Sequence, residues 1–247
     1  MSCPLTKEEL DLVRKAGSIL RECMDRLADE IKEGRSTLWL ERKADSIISQ
    51  RNARAAFKGY KGFPRAICTS LNKVVVHGIP SESDILKDGD IVGIDVGVEY
   101  KGCYADSAKT FKVGKVSPEA ERLVSVTEEA LSRGIAEAKK DNHIQDISWS
   151  IQSFVESSGF SVVRSFVGHG IGKNIHEEPE IPNFGEPHKG RTIKDGMVLA
   201  IEPMVNAGAP EVEIMEDGWT AVTKDRKLSC HFEHTVIVNP ENTEIVT

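Results

Sequence analysis

The sequence predicts an α+β fold, built as one domain over residues 1–247 from two related halves, about 6–113 and 117–247. Two observations predict it. Segments with apolar residues at helical spacing come in pairs, each followed by short β-type runs, and this order occurs twice, offset by roughly 110 residues. No linker rich in Gly, Ser or Pro separates the halves, which points to one shared core. Helix pairs are common, so the pattern alone leaves duplication and coincidence both open.

Each element has a local cause. Thr6-x-x-Glu9 reads as a capping box, in which each side chain satisfies a backbone N–H left open at a helix start. Leu10, Val13, Leu20, Leu27 and Ile31 then recur at helical spacing until Gly34. A second helix is predicted from Thr37 to about Gln50, followed by β-type runs at Lys73 to His77, Ile91 to Val98 and Cys103 to Val113. Ser117-Pro118 opens the second half, with Pro in the first turn where its missing N–H costs nothing. That helix is predicted to run to about Lys139, and another from about Ile144 to Glu156, closed by Gly159. Strand-like runs return at Phe160 to Phe166, Gly196 to Met204, Trp219 to Thr223 and Cys230 to Val238.

Composition narrows the class. With 39% hydrophobic and 29% charged residues the chain is globular rather than disordered. A net charge of −7 argues against nucleic acid as the main partner, because phosphate binding needs a basic face. The basic cluster Lys224, Arg226 and Lys227 is interrupted by Asp225 and reads as solvated surface. Five scattered cysteines (Cys3, Cys23, Cys68, Cys103, Cys230) without a C-x-x-C pair fit reduced thiols. Residues 1–9 lack the apolar core of a signal peptide, and no run approaches the ~20 apolar residues of a membrane span. The expected location is the cytoplasm, with no membrane contact.

The informative anomaly is the placement of acids. Asp95 interrupts the apolar run Ile91 to Val98, and Asp106 sits in the next run, with Lys101-Gly102 as the turn between them. That turn sets the two aspartates opposite each other or one register step away. Two like charges ~4 Å apart repel by about 4 kcal/mol at an effective dielectric of 20, so protons or a cation must hold them. Glu202 ends the run Met197 to Ile201, and Glu233 lies within Cys230 to Val238. One acid in a strand is usually on an exposed face; four in apolar strands need a counter-charge.

Between them lies Gly168-His169-Gly170-Ile171-Gly172-Lys173-Asn174-Ile175-His176-Glu177-Glu178-Pro179. A phosphate loop is excluded, since its spacing and its Ser/Thr are missing. The glycines instead allow close backbone approach and aim the two histidines inward. His77 sits at a strand end before a turn, whereas His143, His188 and His231 read as ordinary surface or core histidines. Two aspartates, two glutamates and one histidine form a mostly oxygen ligand set. It suits two divalent ions (Co, Mn, Fe or Zn), whose charge balances four carboxylates.

These residues sit in segments that together resemble the type I methionine aminopeptidases of peptidase family M24. The segments are Thr69 to Asn72, His77 to Pro80, Asp88 to Ile91, Gly168 to Gly172, His176 to Pro179, Ile201 to Met204, Asp217 to Thr220 and Phe232 to Thr235. The resemblance runs in order along nearly the whole chain. It implies a pita-bread fold, two pseudo-symmetric halves around a curved antiparallel sheet, and removal of the initiator methionine before a small second residue. It implies Asp95, Asp106, His169, Glu202 and Glu233 as metal ligands and Glu202 as proton acceptor. His77 would contact the peptide beside the scissile bond, and His176 would stabilise the tetrahedral intermediate. Tyr60, Phe63, Cys68 and Trp219 would line the methionine pocket, whose outline departs from that of relatives at Phe57 and Ile175. Substrates would be peptides and nascent chains beginning with methionine, with ribosome docking as a family property and a monomer as the expected state. Two alternatives stay open: a proline-directed peptidase of the same fold, and a non-catalytic binding module.

Overall fold

The computed structural model describes residues 5–247. Cys3, and the first four of the nine residues read for a signal core, lie outside the described residues. The first half contains α1 (Lys7–Ala28), α2 (Thr37–Gln50), β1 (Arg54–Ala55), β2 (Cys68–Leu71), β3 (Val74–Val76), β4 (Ile91–Tyr100) and β5 (Cys103–Lys112). The second contains α3 (Pro118–Glu137), α4 (Ile144–Ser157), β6 (Ser161–Val162), β7 (Val167–Gly170), β8 (Glu177–Pro182) and β9 (Val198–Ile201). It continues through β10 (Met204–Asn206), β11 (Val212–Ile214), β12 (Ala221–Thr223), β13 (Ser229–His231), β14 (His234–Val238) and β15 (Thr243–Ile245).

The helix starts follow the caps. Thr6 Oγ1 accepts the Glu9 N–H and Glu9 accepts the Thr6 N–H, closing the box at α1. Ser36 and Ser117 accept the N–H groups of Trp39 and Ala120 at α2 and α3. α1 stops at Ala28, short of Gly34, because the Glu30 and Ile31 N–H groups reach back only three residues and tighten the final turn. Its stripe of Val13, Ala16, Ile19, Leu20, Cys23 and Leu27 is fully buried. Gly17 lies against the final strand: a Cβ there would meet the Val246 carbonyl oxygen at 2.1 Å.

Each helix pair covers one sheet. β4 is central in the first half, with β2 and β5 antiparallel along it and β1 over its far end. The second half carries the order β15-β14-β9-β7-β8, and two three-stranded sheets, β13-β10-β6 and β11-β12-β3, complete the pairing. One apolar cluster lies under α1 and α2, another under α3 and α4. A third, with Phe57, Phe63 and Cys68 from one half and Ile171, Val198 and Ile237 from the other, fills the seam.

Several predicted runs are shorter or broken. Phe160 to Phe166 pairs only at Ser161–Val162. The run Gly196 to Met204 divides at Glu202-Pro203, and Cys230 to Val238 divides at Phe232-Glu233. β7 and β8, in the glycine- and histidine-rich segment that no predicted strand covers, are paired strands that place a histidine.

Candidate metal centre

The β4–β5 hairpin sets the first two acids. Lys101 and Gly102 both have positive φ (51° and 83°), the backbone of a two-residue turn whose twist matches its strands. The turn pairs Tyr100 with Cys103, hence Gly97 with Asp106 and Asp95 with Ala108. Asp95 and Asp106 are therefore neither opposite nor one step apart but diagonal, on the same face. Diagonal neighbours are about 7–8 Å apart at the backbone, within reach of both side chains. A turn centred one residue later than direct opposition requires accounts for the difference.

The second pair sits at the two strand interruptions. Ile201 pairs with His234, and Met204 with His231. Glu202-Pro203 thus faces Phe232-Glu233, and the Phe232 N–H reaches the Pro203 carbonyl at 3.3 Å. His169 comes from β7, which packs between β8 and β9. A Cβ on Gly168 would lie 2.5 Å from the Ala200 carbonyl oxygen, and one on Gly170 only 2.3 Å from that of Glu178. Close approach is what these glycines supply.

Hydroxyl groups stitch β5 to the second half behind the acids. Thr235 Oγ1 accepts the Asp106 N–H (2.9 Å) and donates to the Asp106 carbonyl (2.7 Å). Ser107 Oγ donates to the Glu233 carbonyl at 2.7 Å. Thr110 Oγ1 donates to the His231 carbonyl and accepts its N–H. Asp106 and Glu233 are 3% and 2% exposed, so these bonds hold ionisable residues at a buried seam.

The electrostatics follow from burial and crowding. Burial, then the Asp106 and Glu202 carboxylates, pushes the Asp95 carboxyl well above the usual range. Burial, then Asp106, Glu202 and Asp95, does the same to Glu233. Burial and Glu202 raise Asp106 to about 8, and burial raises Glu202 to about 7. Asp95 Oδ1 and Glu233 Oε1 are buried without a hydrogen-bond partner. Asp106, His169 and Glu233 each offer a ligand atom within 4.8 Å of the others, and His169 Nε2 is 3.6 Å from Glu202 Oε1. His169 Nδ1 lies 2.9 Å from the Gly170 carbonyl, which leaves Nε2 for a ligand role. Orphaned carboxylate oxygens, mutual repulsion and an oriented imidazole fit divalent cations.

All eleven residues selected from the sequence line one cavity of about 160 Å³, together with Phe57 and Lys61. The four acids and His169 line it together, and Cys68, paired with Asp95 across β2 and β4, adjoins them. Phe57, Phe63, Cys68 and Trp219 form an apolar wall, with the Phe63 and Trp219 rings edge to face at 5.2 Å. His77 has φ 59°, a strained backbone for a non-glycine residue, and its ring meets Phe166 and Trp219 edge-on. Burial, with His231 nearby, lowers His77 to about 4. His176 keeps one face open; burial of the remainder, with His169, Lys61 and His77 close by, lowers it to about 3. Both rings are neutral at pH 7.

Sequence reasoning missed two contributors. His231, read as an ordinary histidine, is 3% exposed, and its Nε2 stands 3.4 Å from Glu202 Oε2. Its place two residues before Glu233, on an apolar run, was the available signal. Lys61 joins the lining through folding of residues 54–63, which carries no strong periodicity, whereas Phe57 stands in the pocket outline that the resemblance implied. His143 and His188 remain at the surface beside Asp146, whose carboxylate accepts both of their backbone N–H groups at 2.7 Å.

Comparison with known proteins agrees with this arrangement. The sequence profile of metallopeptidase family M24 matches residues 11–240. A methionine aminopeptidase of Clostridium perfringens is 51% identical over 241 residues, 98% of this chain and 96% of its own. Methionine aminopeptidase 1 of Bacillus subtilis is 47% identical, covering 98% of this chain and 97% of its own. The crystal structure of methionine aminopeptidase from Thermotoga maritima superimposes with a TM-score of 0.99 at 41% identity, covering 100% and 99% of the two chains. The fold is thus the pita-bread fold. With its buried carboxylates, oriented histidine and apolar wall in one cavity, the chain belongs to metallopeptidase family M24 and, within it, to the methionine aminopeptidases.

Proposed function

We propose that this chain removes the N-terminal methionine from peptides and newly made proteins, preferring a small second residue. The observation that carries the reading is one cavity lined both by a cluster of buried acids and by the apolar side chains of Phe57, Phe63, Cys68 and Trp219. A flexible thioether suits a wall of Phe57, Phe63, Cys68 and Trp219.

Asp95, Asp106, His169, Glu202 and Glu233 would hold two divalent ions (Co, Mn, Fe or Zn), whose charge offsets the four carboxylates. Such ions supply Lewis acidity toward the scissile carbonyl and make water nucleophilic at neutral pH. Glu202, one of the carboxylates lining the cavity, would take the proton from the attacking water. His77 holds the peptide nitrogen beside the scissile bond, fixed by its strained backbone and by Phe166 and Trp219. His176 donates toward the oxygen that becomes negative during attack. The wall excludes water and fixes the methionine side chain, which orients the scissile bond. The whole chain, halves 6–113 and 117–247 together, acts as one catalytic domain and as a monomer in the cytoplasm.

Methionine release from Met-Ala-Ser by metal-stripped protein, with and without Co²⁺ or Mn²⁺, tests the reading. Metal-restored release is expected. No release by folded, metal-loaded protein, or release only from Xaa-Pro peptides, overturns it.

A further inference from the structure

We propose that Tyr60 is a positioning residue for His176: its hydroxyl donates to His176 Nδ1, which fixes the imidazole tautomer that presents Nε2–H to the cavity. The inference rests on the proposed role of His176 and deepens it.

The geometry is specific to this pair. Tyr60 Oη lies 3.1 Å from His176 Nδ1, and the two rings stack with centroids 5.2 Å apart and planes inclined by 21°. The imidazole also meets the His169 ring, with centroids 4.2 Å apart and planes inclined by 48°. With Nδ1 tied to the phenol, Nε2 is the nitrogen left for a substrate. A neutral imidazole has one donor and one acceptor nitrogen, and the hydrogen bond made by one decides the role of the other. If Tyr60 donates, Nε2 carries the proton and can stabilise negative charge on a carbonyl oxygen. If Tyr60 accepts, Nε2 offers only a lone pair and repels that oxygen.

Two further observations set the direction. Lys61 Nζ stands 5.4 Å from the centre of the Tyr60 ring. A cation there draws electron density from the phenol and makes its O–H a better donor and a poorer acceptor. The Tyr60 backbone is also held rigidly for its task. It lies in a short 3₁₀ turn, Tyr60–Gly62, flanked by Gly59 (φ 84°) and Gly62 (φ 90°), with Lys61 itself at φ 46°. That turn is closed by the Gly59 N–H to the Phe63 carbonyl at 2.8 Å and the Phe63 N–H to the Tyr60 carbonyl at 2.9 Å. Lys61 takes this left-handed backbone and has its ammonium over the Tyr60 ring. Lys61 and Tyr60 thus form a short relay that ends on His176.

The test is Tyr60→Phe in the metal-loaded full chain, which keeps the ring, its stacking and its apolar contacts. Loss of one neutral hydrogen bond that acts in the transition state is expected to lower kcat about 5- to 10-fold for Met-Ala-Ser, with KM within twofold of wild type. Nitrogen-15 NMR of Zn²⁺-loaded protein, with the His176 signals assigned through His176→Gln, should show the proton on Nε2 in wild type and a mixture of tautomers in Tyr60→Phe. A purely structural role for the hydroxyl would leave the tautomer unchanged. The proposal is overturned by a proton on Nδ1 in wild type, by kcat within twofold of wild type in Tyr60→Phe, or by a change in KM alone. His176→Ala separates the two levels of inference. If it leaves kcat unchanged, the role given to His176 is wrong; if it abolishes turnover while Tyr60→Phe does not, only the role of Tyr60 falls.

Discussion

Glu202 and Glu233 face each other at matching interruptions in the two strand pairs β9/β10 and β13/β14. The register that joins Ile201 to His234 and Met204 to His231 places one glutamate directly against the other. Pro203 withholds an N–H at that step, so the ladder opens and both side chains turn into the cavity beside Asp95 and Asp106. The fold brings four acids together that repel until cations join them.

Glu233→Gln tests that repulsion directly. It removes one buried charge and keeps the shape, so chelated protein is expected to gain about 1–2 kcal/mol, a rise of roughly 2–8 °C in Tm. In excess Mn²⁺ the same variant should lose the metal-dependent rise of wild type, with activity down by more than about 100-fold. Thermal scans with and without chelator, alongside methionine release, provide the check. A fall in the Tm of chelated protein would show that the acids are held by favourable bonds rather than opposed.

Thr235→Val should loosen the seam. The valine keeps the volume but deletes both bonds to the Asp106 backbone, leaving a buried N–H and carbonyl unpaired. About 1–3 kcal/mol of stability is expected to go, read by urea denaturation. Metal affinity should weaken with it, because β5 carries Asp106. Unchanged stability would mean that water or a shifted strand satisfies those groups.

Gly170→Ala should disturb His169 more than any surface change of equal size. The added methyl has no room beside the Glu178 carbonyl, and β7 cannot move without shifting the ring. The cost is expected at about 1–3 kcal/mol or more, with a parallel loss of metal binding measured by equilibrium dialysis.

The pH response of one surface tie can be isolated. The Arg14 guanidinium hydrogen-bonded to Glu244 holds that carboxyl below its ordinary value of 4.5. A depressed folded-state pKa gives stability present above about pH 4.5 and lost as pH falls through the lower folded value. Because the pair is about one-third exposed, the contribution is expected below about 1 kcal/mol. Arg14→Ala should therefore lower Tm by a few degrees at most at pH 7, and by less at pH 3. A difference that grows in acid would contradict the assignment.

What the sequence determined was local or categorical. The capping box at Thr6, the Ser117-Pro118 start and the helical stripes placed the four helices of the described residues, with α2 at its observed bounds of Thr37–Gln50. Asp95, Asp106, Glu202 and Glu233 stood out because an acid in an apolar strand violates desolvation, and that signal survives without knowing any neighbour. Tertiary structure decided relations between distant residues. Whether Asp95 faces Asp106 or stands diagonal to it depends on a turn centre that shifts by a single residue. That His231 reaches Glu202, that Lys61 overlies Tyr60, and that Thr235 bridges to Asp106 depends on strand register and on contact between the halves. Periodicity and capping act over a few residues and leave their mark in the chain. Register and packing come from the sum of many weak contacts across the fold, and no short stretch of sequence carries that sum.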